Sequence, residues 1–201
     1  MLERASALAG ALEPASRAGA GGAMGLRLGE NPHFSLVQIA GFASTFAGLQ
    51  GEIASLLGGP VPQLARTPEK TAAGLVFRTG HAQLWVIGPE RSDLSAKARA
   101  AIPAGKGVVT DLSSARTRLF VEGEAAASTL AKGIPLDLDP GAFPVGTAAM
   151  TGVHHVPILL HRPGERRFDI YVMRTFALFA FEWLADAALE FGYRIETEAA
   201  A

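Results

Sequence analysis

The chain has 201 residues, enough for one substantial domain or two small lobes, and only 18% of them are charged. Its net charge of −1 argues against a nucleic-acid or anionic-membrane partner, because neither would meet a basic surface. There is no cysteine, which excludes disulfides and thiol catalysis, and no apolar run long enough to span a bilayer. Since no export signal is recognisable either, we expect a cytoplasmic protein without membrane contact.

Residues 1–25 form an arm rich in alanine and glycine. Leu8 and Leu12 belong to an apolar pattern of near-helical spacing that Pro14 interrupts. Such an arm is either a flexible terminus or an amphipathic segment that orders against a partner. In the second case Leu8 and Leu12 are candidate interface residues. We expect residues 26–201 to form the folded domain.

The first half of this domain alternates strands with helices. Gly58-Gly59-Pro60 ends the first helix, and Thr79-Gly80-His81 joins two strands as a tight hairpin. Ser92 is a suitable cap for the second helix. The predicted elements are a strand at 34–40, a helix with Phe42, Phe46, Leu49, Ile53 and Leu56 on one face, strands at 73–78 and 83–88, a helix from 92 to about 101, and a strand at 107–111.

The second half repeats this order of elements. The prediction is a strand at 116–122, a helix at 124–132, a strand at 147–151 that runs on or bends into 155–161, a strand at 168–173, a long helix at 175–191 and a final strand at 193–195. Each half is thus strand–helix–strand–strand–helix–strand, the arrangement of ferredoxin-like units. The predicted fold class is α+β, with two duplicated ferredoxin-like halves in one domain.

A proline-rich loop follows the predicted helix at 124–132. Gly133 comes just after that helix, where a left-handed cap residue is expected. Pro135, Pro140 and Pro144 then hold the connection extended, because each fixes its own φ and disfavours helix in the residue before it. A connection this stiff is suited to positioning a ligand or a partner protein.

Several motifs together resemble the gamma subunit family of heterotetrameric sarcosine oxidases. The resemblance covers about residues 26–195, is strongest from Asp111 onward, and extends to the folate-binding domain of aminomethyltransferases, whose fold it implies here. The motifs are Val109-Thr-Asp-Leu-Ser-Ser-Ala-Arg-Thr-Arg-Leu, Gly123-Glu-Ala, Leu130-Ala-Lys-Gly-Ile-Pro-Leu-Asp-Leu, Phe143-Pro, His155-Val-Pro-Ile-Leu-Leu-His and Phe168-Asp-Ile-Tyr-Val with Trp183.

The resemblance implies a role inside a complex with alpha, beta and delta subunits. That complex demethylates sarcosine to glycine, and the one-carbon unit passes to tetrahydrofolate or leaves as formaldehyde. FAD, FMN, NAD and zinc are implied in the other subunits and none in this one. The sequence agrees, because no Gly-x-Gly-x-x-Gly follows a strand and no Walker-type phosphate loop is present.

Asp137 is the one weak catalytic candidate. Ile134-Pro-Leu-Asp137 resembles the Thr-Asn-Asp exit loop of folate-dependent aminomethyltransferases, although Leu136 stands where that motif has Asn. A carboxylate there could orient a pterin amine or stabilise an iminium. The alternative, which we favour, is that Asp137 and Asp139 cap turns around Pro140.

The histidines do not predict a metal site. His154 and His155 are adjacent, so on a strand their side chains point to opposite faces and cannot share an ion. His155 and His161 would need carboxylates from elsewhere to complete a site. We expect one half-buried histidine that is hydrogen-bonded to backbone, and no metal.

The predicted helix at 175–191 has an unusual aromatic load. Most of its aromatic side chains are expected in the core. Phe179 instead falls among Glu182, Asp186 and Glu190, which lie in one line on the surface. Phe179 and Trp183 are therefore candidate interface residues.

Three classes of function remain. The first is a non-catalytic subunit of a flavin amine oxidoreductase, acting on sarcosine or, as the equivalent subunit of a related dehydrogenase, on another N-methyl amino acid. The second is a freestanding folate-dependent aminomethyltransferase, which the missing Asn disfavours. The third is a folate-binding maturation factor for iron–sulfur enzymes, whose signature needs a cysteine that this chain lacks.

Overall fold

The computed structural model describes residues 5–12, 15–22 and 24–198. They form two compact units: a central unit, His33–Ser113, and a flanking unit made of the residues up to Pro32 and from Ser114 onward. The domain boundary that we place at residue 25 stays a prediction.

The described part of the chain contains twelve strands, four α-helices and two short 3-10 helices. The strands are β1 (Ser16–Arg17), β2 (Leu26–Glu30), β3 (Ser35–Gly41), β4 (Glu69–Thr71), β5 (Gly74–Gly80), β6 (Gln83–Gly88), β7 (Gly107–Asp111), β8 (Arg116–Gly123), β9 (Ala148–Val153), β10 (Val156–Gly164), β11 (Arg167–Met173) and β12 (Tyr193–Thr197). The α-helices are α1 (Phe46–Leu57), α2 (Leu94–Ala101), α3 (Ala126–Ala131) and α4 (Ala177–Ala188); the 3-10 helices are Ala20–Gly22 and Arg174–Phe176.

Each unit contains one ferredoxin-like sheet. The central sheet has the order β4-β5-β6-β3-β7, and the flanking sheet has the order β1-β12-β2-β8-β11-β10-β9. The four repeat strands are β3, β5, β6 and β7 in the central sheet and β8, β10, β11 and β12 in the flanking sheet. Numbered along the chain, they lie in the order second, third, first, fourth in both sheets, when the flanking sheet is read from its β9 edge. The flanking sheet inserts β2 between its first and fourth strands, parallel to β12 and antiparallel to β8. The predicted α+β class and the duplicated halves are confirmed.

The central unit has its own apolar core. Helix α1 buries Phe46, Leu49, Ile53 and Leu57 on one face, at the spacing expected of an amphipathic helix. Gly58 ends the helix with φ 64°, and its N–H donates to Ala54 O and Ser55 O. Phe42, which we predicted on the same face, lies before the helix and is 55% exposed.

The flanking unit buries one face of its sheet beneath α3 and α4. Leu28, Val121 and Ile170 from three neighbouring strands share a cluster with Leu130 of α3 and Leu184 of α4. The predicted helix at 175–191 is shorter than expected, because residues 174–176 form a 3-10 turn and α4 ends at Ala188. The opposite face of α4 remains exposed and is described below.

The N-terminal segment packs against this same cluster. Leu8 is 1% exposed, and Leu12 contacts the cluster from outside. The buried Glu30 carboxylate accepts hydrogen bonds from Ser6 Oγ and from Ala7 N (3.1 Å). Leu8 therefore belongs to the core of its own chain, where it has no surface left for a partner. The partner surface proposed below rests on Phe179 and Trp183 instead.

Candidate partner-docking surface

The proline-rich loop that follows α3 is held by Arg162, a residue that sequence reasoning missed. Arg162 is 5% exposed and its Nη1 donates to Phe143 O at 2.8 Å and to Leu138 O at 3.2 Å. Its Nη2 donates to Glu165 O at 2.7 Å, and its guanidinium lies 5.0 Å from the centre of the Phe168 ring. One buried cation thus ties two points of the loop, Leu138 and Phe143, to β10, which fixes the shape of the loop between them.

Asp137 and Asp139 make the contacts expected of turn-capping residues. The Oδ1 atom of Asp137 accepts a hydrogen bond from Asp139 N at 3.0 Å. The Oδ1 atom of Asp139 likewise accepts from Gly141 N at 2.8 Å, beside Pro140. Both side chains are exposed. These are the Asx-type turns of the alternative that we favoured. A catalytic role for Asp137 stays a prediction, and its test is given in the Discussion.

Gly133 is required by the loop for a reason other than the one predicted. Its φ lies outside the left-handed region, so the expectation of a left-handed cap was wrong. A Cβ at this position would lie 2.5 Å from Cζ2 and 2.8 Å from Cε2 of Trp183, well inside the van der Waals distance. Glycine is needed here because the indole of α4 packs directly on the backbone at the end of α3.

Three rings meet at the exposed side of α4. The His154 ring lies edge-on to Phe179, with 6.3 Å between ring centres, and edge-on to Trp183 at 6.1 Å. Phe179 is 46% exposed and Trp183 is half-buried. His154 has φ 49°, and no other residue except glycine has a positive φ in the described ranges. We call His154, Phe179 and Trp183 the aromatic cluster.

The aromatic cluster borders a row of carboxylates. Glu182, Asp186 and Glu190 follow Phe179 along one side of α4 and are exposed. Glu190 forms an ion pair with Lys132, whose Nζ lies 2.8 Å from Glu190 Oε2. The same Nζ lies 4.8 Å from the centre of the Phe191 ring. Glu182 and Asp186 form no ion pair with any residue that the structure describes. The surface is therefore aromatic at its centre and negative at its rim.

The histidines differ from the prediction in their place in the fold and in their burial. His154 and His155 do not lie on a strand but form the hairpin turn between β9 and β10, and both are exposed. His161 is buried on β10, where burial and the nearby Arg118 cation lower the pKa of its imidazole to about 4. Within residues 5–12, 15–22 and 24–198, no three histidine, aspartate or glutamate side chains converge as a metal site would require.

The face of the flanking sheet that does not pack against α3 and α4 holds a network of charged side chains. The alternating sequence of the strands did not predict this network. Arg167 Nε donates to Asp169 Oδ1 at 2.9 Å, and its Nη atoms donate to the Glu198 carboxylate. Burial raises the pKa of Asp169, although the Arg167 cation opposes this shift. Arg27 joins the network through Glu122 at 2.9 Å. The Arg27–Glu122 contact pairs charges across the neighbouring strands β2 and β8, and the network as a whole stabilises this face of the sheet.

The fold and the sequence both match known proteins. Residues 75–190 match the model of the sarcosine oxidase, gamma subunit family. The chain is similar to the sarcosine oxidase subunit gamma of Corynebacterium sp. (strain P-1), 36% identical over 146 residues, which are 73% of this chain and 70% of the relative. It is also 36% identical over 140 residues to the subunit gamma of an Arthrobacter species, with 69% of each chain covered.

Two solved structures extend the comparison. The heterotetrameric sarcosine oxidase from Corynebacterium sp. U-96, solved in complex with pyrrole 2-carboxylate, contains a chain that superposes with a TM-score of 0.80 at 30% identity, over 95% of this chain and 96% of that one. The aminomethyltransferase T of the glycine cleavage system from Bartonella henselae superposes with a TM-score of 0.57 at 16% identity, over 87% of this chain and 48% of that one, and shares the fold alone. The chain belongs to the sarcosine oxidase gamma subunit family.

Proposed function

We propose that this chain is the gamma subunit of a heterotetrameric sarcosine oxidase, and that it contributes a docking surface to the complex while the other subunits carry out the chemistry. The observation that supports this most strongly is the superposition on a chain of a heterotetrameric sarcosine oxidase over almost the full length of both chains. The aromatic cluster supports a docking role, because exposed aromatic side chains that lie together are typical of surfaces that a partner covers.

In this proposal the complex converts sarcosine to glycine. The N-methyl carbon is oxidised and leaves as formaldehyde or passes to tetrahydrofolate, and oxygen takes the two electrons and becomes peroxide. FAD, FMN, NAD and zinc belong to the alpha, beta and delta subunits, since flavin redox chemistry needs a bound cofactor and this sequence has no dinucleotide loop to hold one. We propose the cytoplasm as the location. No helix in the described ranges is both long and apolar enough to span a membrane.

A freestanding aminomethyltransferase is the alternative. Only the shared fold supports this alternative, because the sequence identity to aminomethyltransferase T is 16%. Asp137, the residue on which a transferase reading depends, makes a turn-capping contact and follows Leu136 where the transferase motif has Asn.

Co-expression tests the proposal directly. The tagged chain is expressed with its alpha, beta and delta partner subunits, purified, and assayed for sarcosine-dependent peroxide formation. We expect all four chains to co-purify, and the chain expressed alone to be colourless and inactive. A tagged chain that transfers aminomethyl groups to tetrahydrofolate by itself, or that never co-purifies with the other subunits, would contradict it.

A further inference from the structure

We propose that the aromatic cluster and its negative rim dock onto one neighbouring subunit of the oxidase, at a surface where an apolar side chain is flanked by lysine or arginine. This inference rests on the proposed function and names the surface and the partner chemistry that the function requires. It is carried by three independent features of the described residues: contiguous apolar exposure, pre-organised rings, and carboxylates without a cation.

Apolar exposure is concentrated at the start of α4. Met173, Phe176, Leu178 and Phe179 are between 39% and 47% exposed and lie within seven consecutive residues. Singly scattered apolar side chains are ordinary on a protein surface, whereas a contiguous group marks an interaction site. Phe176 and Phe179 are three residues apart, so along the helix they continue into the stripe that Trp183 and Asp186 extend.

The rings at the centre of this surface are already held in place. The Trp183 indole is fixed against the backbone of Gly133, and Trp183 itself packs against the core of the flanking unit. His154 lies edge-on to both rings from the two-residue hairpin turn between β9 and β10, where its backbone takes the left-handed conformation that such turns use. Rings that lose little freedom on binding are the usual anchors of an interface.

The charges at the rim determine the kind of partner. Glu182 and Asp186 lie three and seven residues after Phe179 and have no cation within the described chain, while Glu190 has Lys132. A basic surface of another subunit would supply the missing cations. A second copy of this chain would not, because a two-fold contact through this surface would bring the same carboxylates together.

The experiment uses the co-expressed complex. Phe179→Asp places a charge at the centre of the surface, and Phe42→Asp is the matched control, since Phe42 is a phenylalanine of similar exposure in the central unit. A second variant, Glu182→Lys with Asp186→Lys, reverses the rim without touching the core. Each tagged chain is checked by circular dichroism and sedimentation, and its affinity for the other subunits is measured at low and high salt.

We expect Phe179→Asp to weaken assembly about thirtyfold or more and Phe42→Asp to leave it unchanged. The rim variant should weaken assembly about tenfold and remove most of its salt dependence, which a merely structural role would not do. Normal assembly of Phe179→Asp, or of the rim variant if Phe179→Asp fails to fold, overturns the docking surface but leaves the proposed function intact. Self-association of the isolated chain that Phe179→Asp abolishes also overturns it. Failure of the unmodified chain to assemble instead overturns the proposed function.

Discussion

The contact between Gly133 and Trp183 allows a sharp test of how the α3 exit and α4 are joined. Replacing Gly133 by Ala adds one carbon atom at 2.5 Å from Trp183 Cζ2, where carbon atoms normally approach to about 3.5–4.0 Å. The indole or the loop must therefore move by about 1 Å, and overpacking of this size costs about 1–3 kcal/mol. The backbone of Gly133 itself tolerates alanine, since its φ lies outside the left-handed region.

The assay is a double-mutant cycle in which the free energy of unfolding of each purified variant is measured by urea denaturation. We expect Gly133→Ala to lower the free energy of unfolding by about 2 kcal/mol in the unmodified chain. In a Trp183→Leu background the same change should be neutral or stabilising by up to about 1 kcal/mol, because alanine restricts the unfolded chain and meets no indole. Gly51→Ala is the control: it lies within α1 with nothing near its added Cβ, and should stabilise by about 0.5–1 kcal/mol.

Equal destabilisation by Gly133→Ala in both backgrounds would refute this reasoning. The cost would then come from the loop backbone and not from the indole, and Trp183 would not be held by the contact that the structure shows. A coupling free energy near 2 kcal/mol would instead establish that the glycine is there to admit the ring.

Three further predictions concern the loop and the buried sheet. Asp137→Ala should lower the free energy of unfolding by about 1 kcal/mol, the usual cost of a lost cap, and leave turnover of the complex intact; lost turnover with unchanged folding would restore a catalytic role. Arg162→Met should cost about 3 kcal/mol in urea denaturation, because three carbonyls lose a charged donor, and a cost below about 1 kcal/mol would show that the loop is held otherwise. Because the His161 pKa is lowered to about 4, the unfolded chain binds a proton that the folded chain refuses between about pH 6.5 and 4. Stability present above pH 6.5 should fall by at most about 3 kcal/mol across that window, and a His161→Gln variant measured over the same pH range should lack this part of the loss.

The aromatic stripe and the turn chemistry were visible in the sequence because both depend on local spacing. Phe179 was expected outside the core from its place among carboxylates, and it is exposed. The Asp137 and Asp139 turns follow from short polar side chains beside Pro140, and both hydrogen bonds are present. Periodicity likewise predicted β7 at its observed bounds and α1 with its glycine cap.

Features that join distant parts of the chain were not visible. The cap expected at Gly133 is a packing site, because the ring that decides it comes 50 residues later. Leu8 was a candidate interface residue on one of two alternatives for the arm, because nothing local shows that Glu30 holds the segment beside it.

What the sequence alone determined is the succession of the repeated strands and helices, the fold class and the family, since these depend on local patterns and on motifs in order. Only the tertiary structure decided which residues from distant parts of the chain come into contact. Strand β2 was not predicted, because it is placed by pairing with β12 and β8, which come much later in the chain. Gly29 is needed in this strand, since a Cβ there would lie 1.8 Å from Glu196 O. Arg162 gave no local signal, because an arginine on a strand usually faces water, and its partners lie on the loop that it anchors. Long-range pairing and close approach are set by the whole fold, so they become visible only when the chain is assembled.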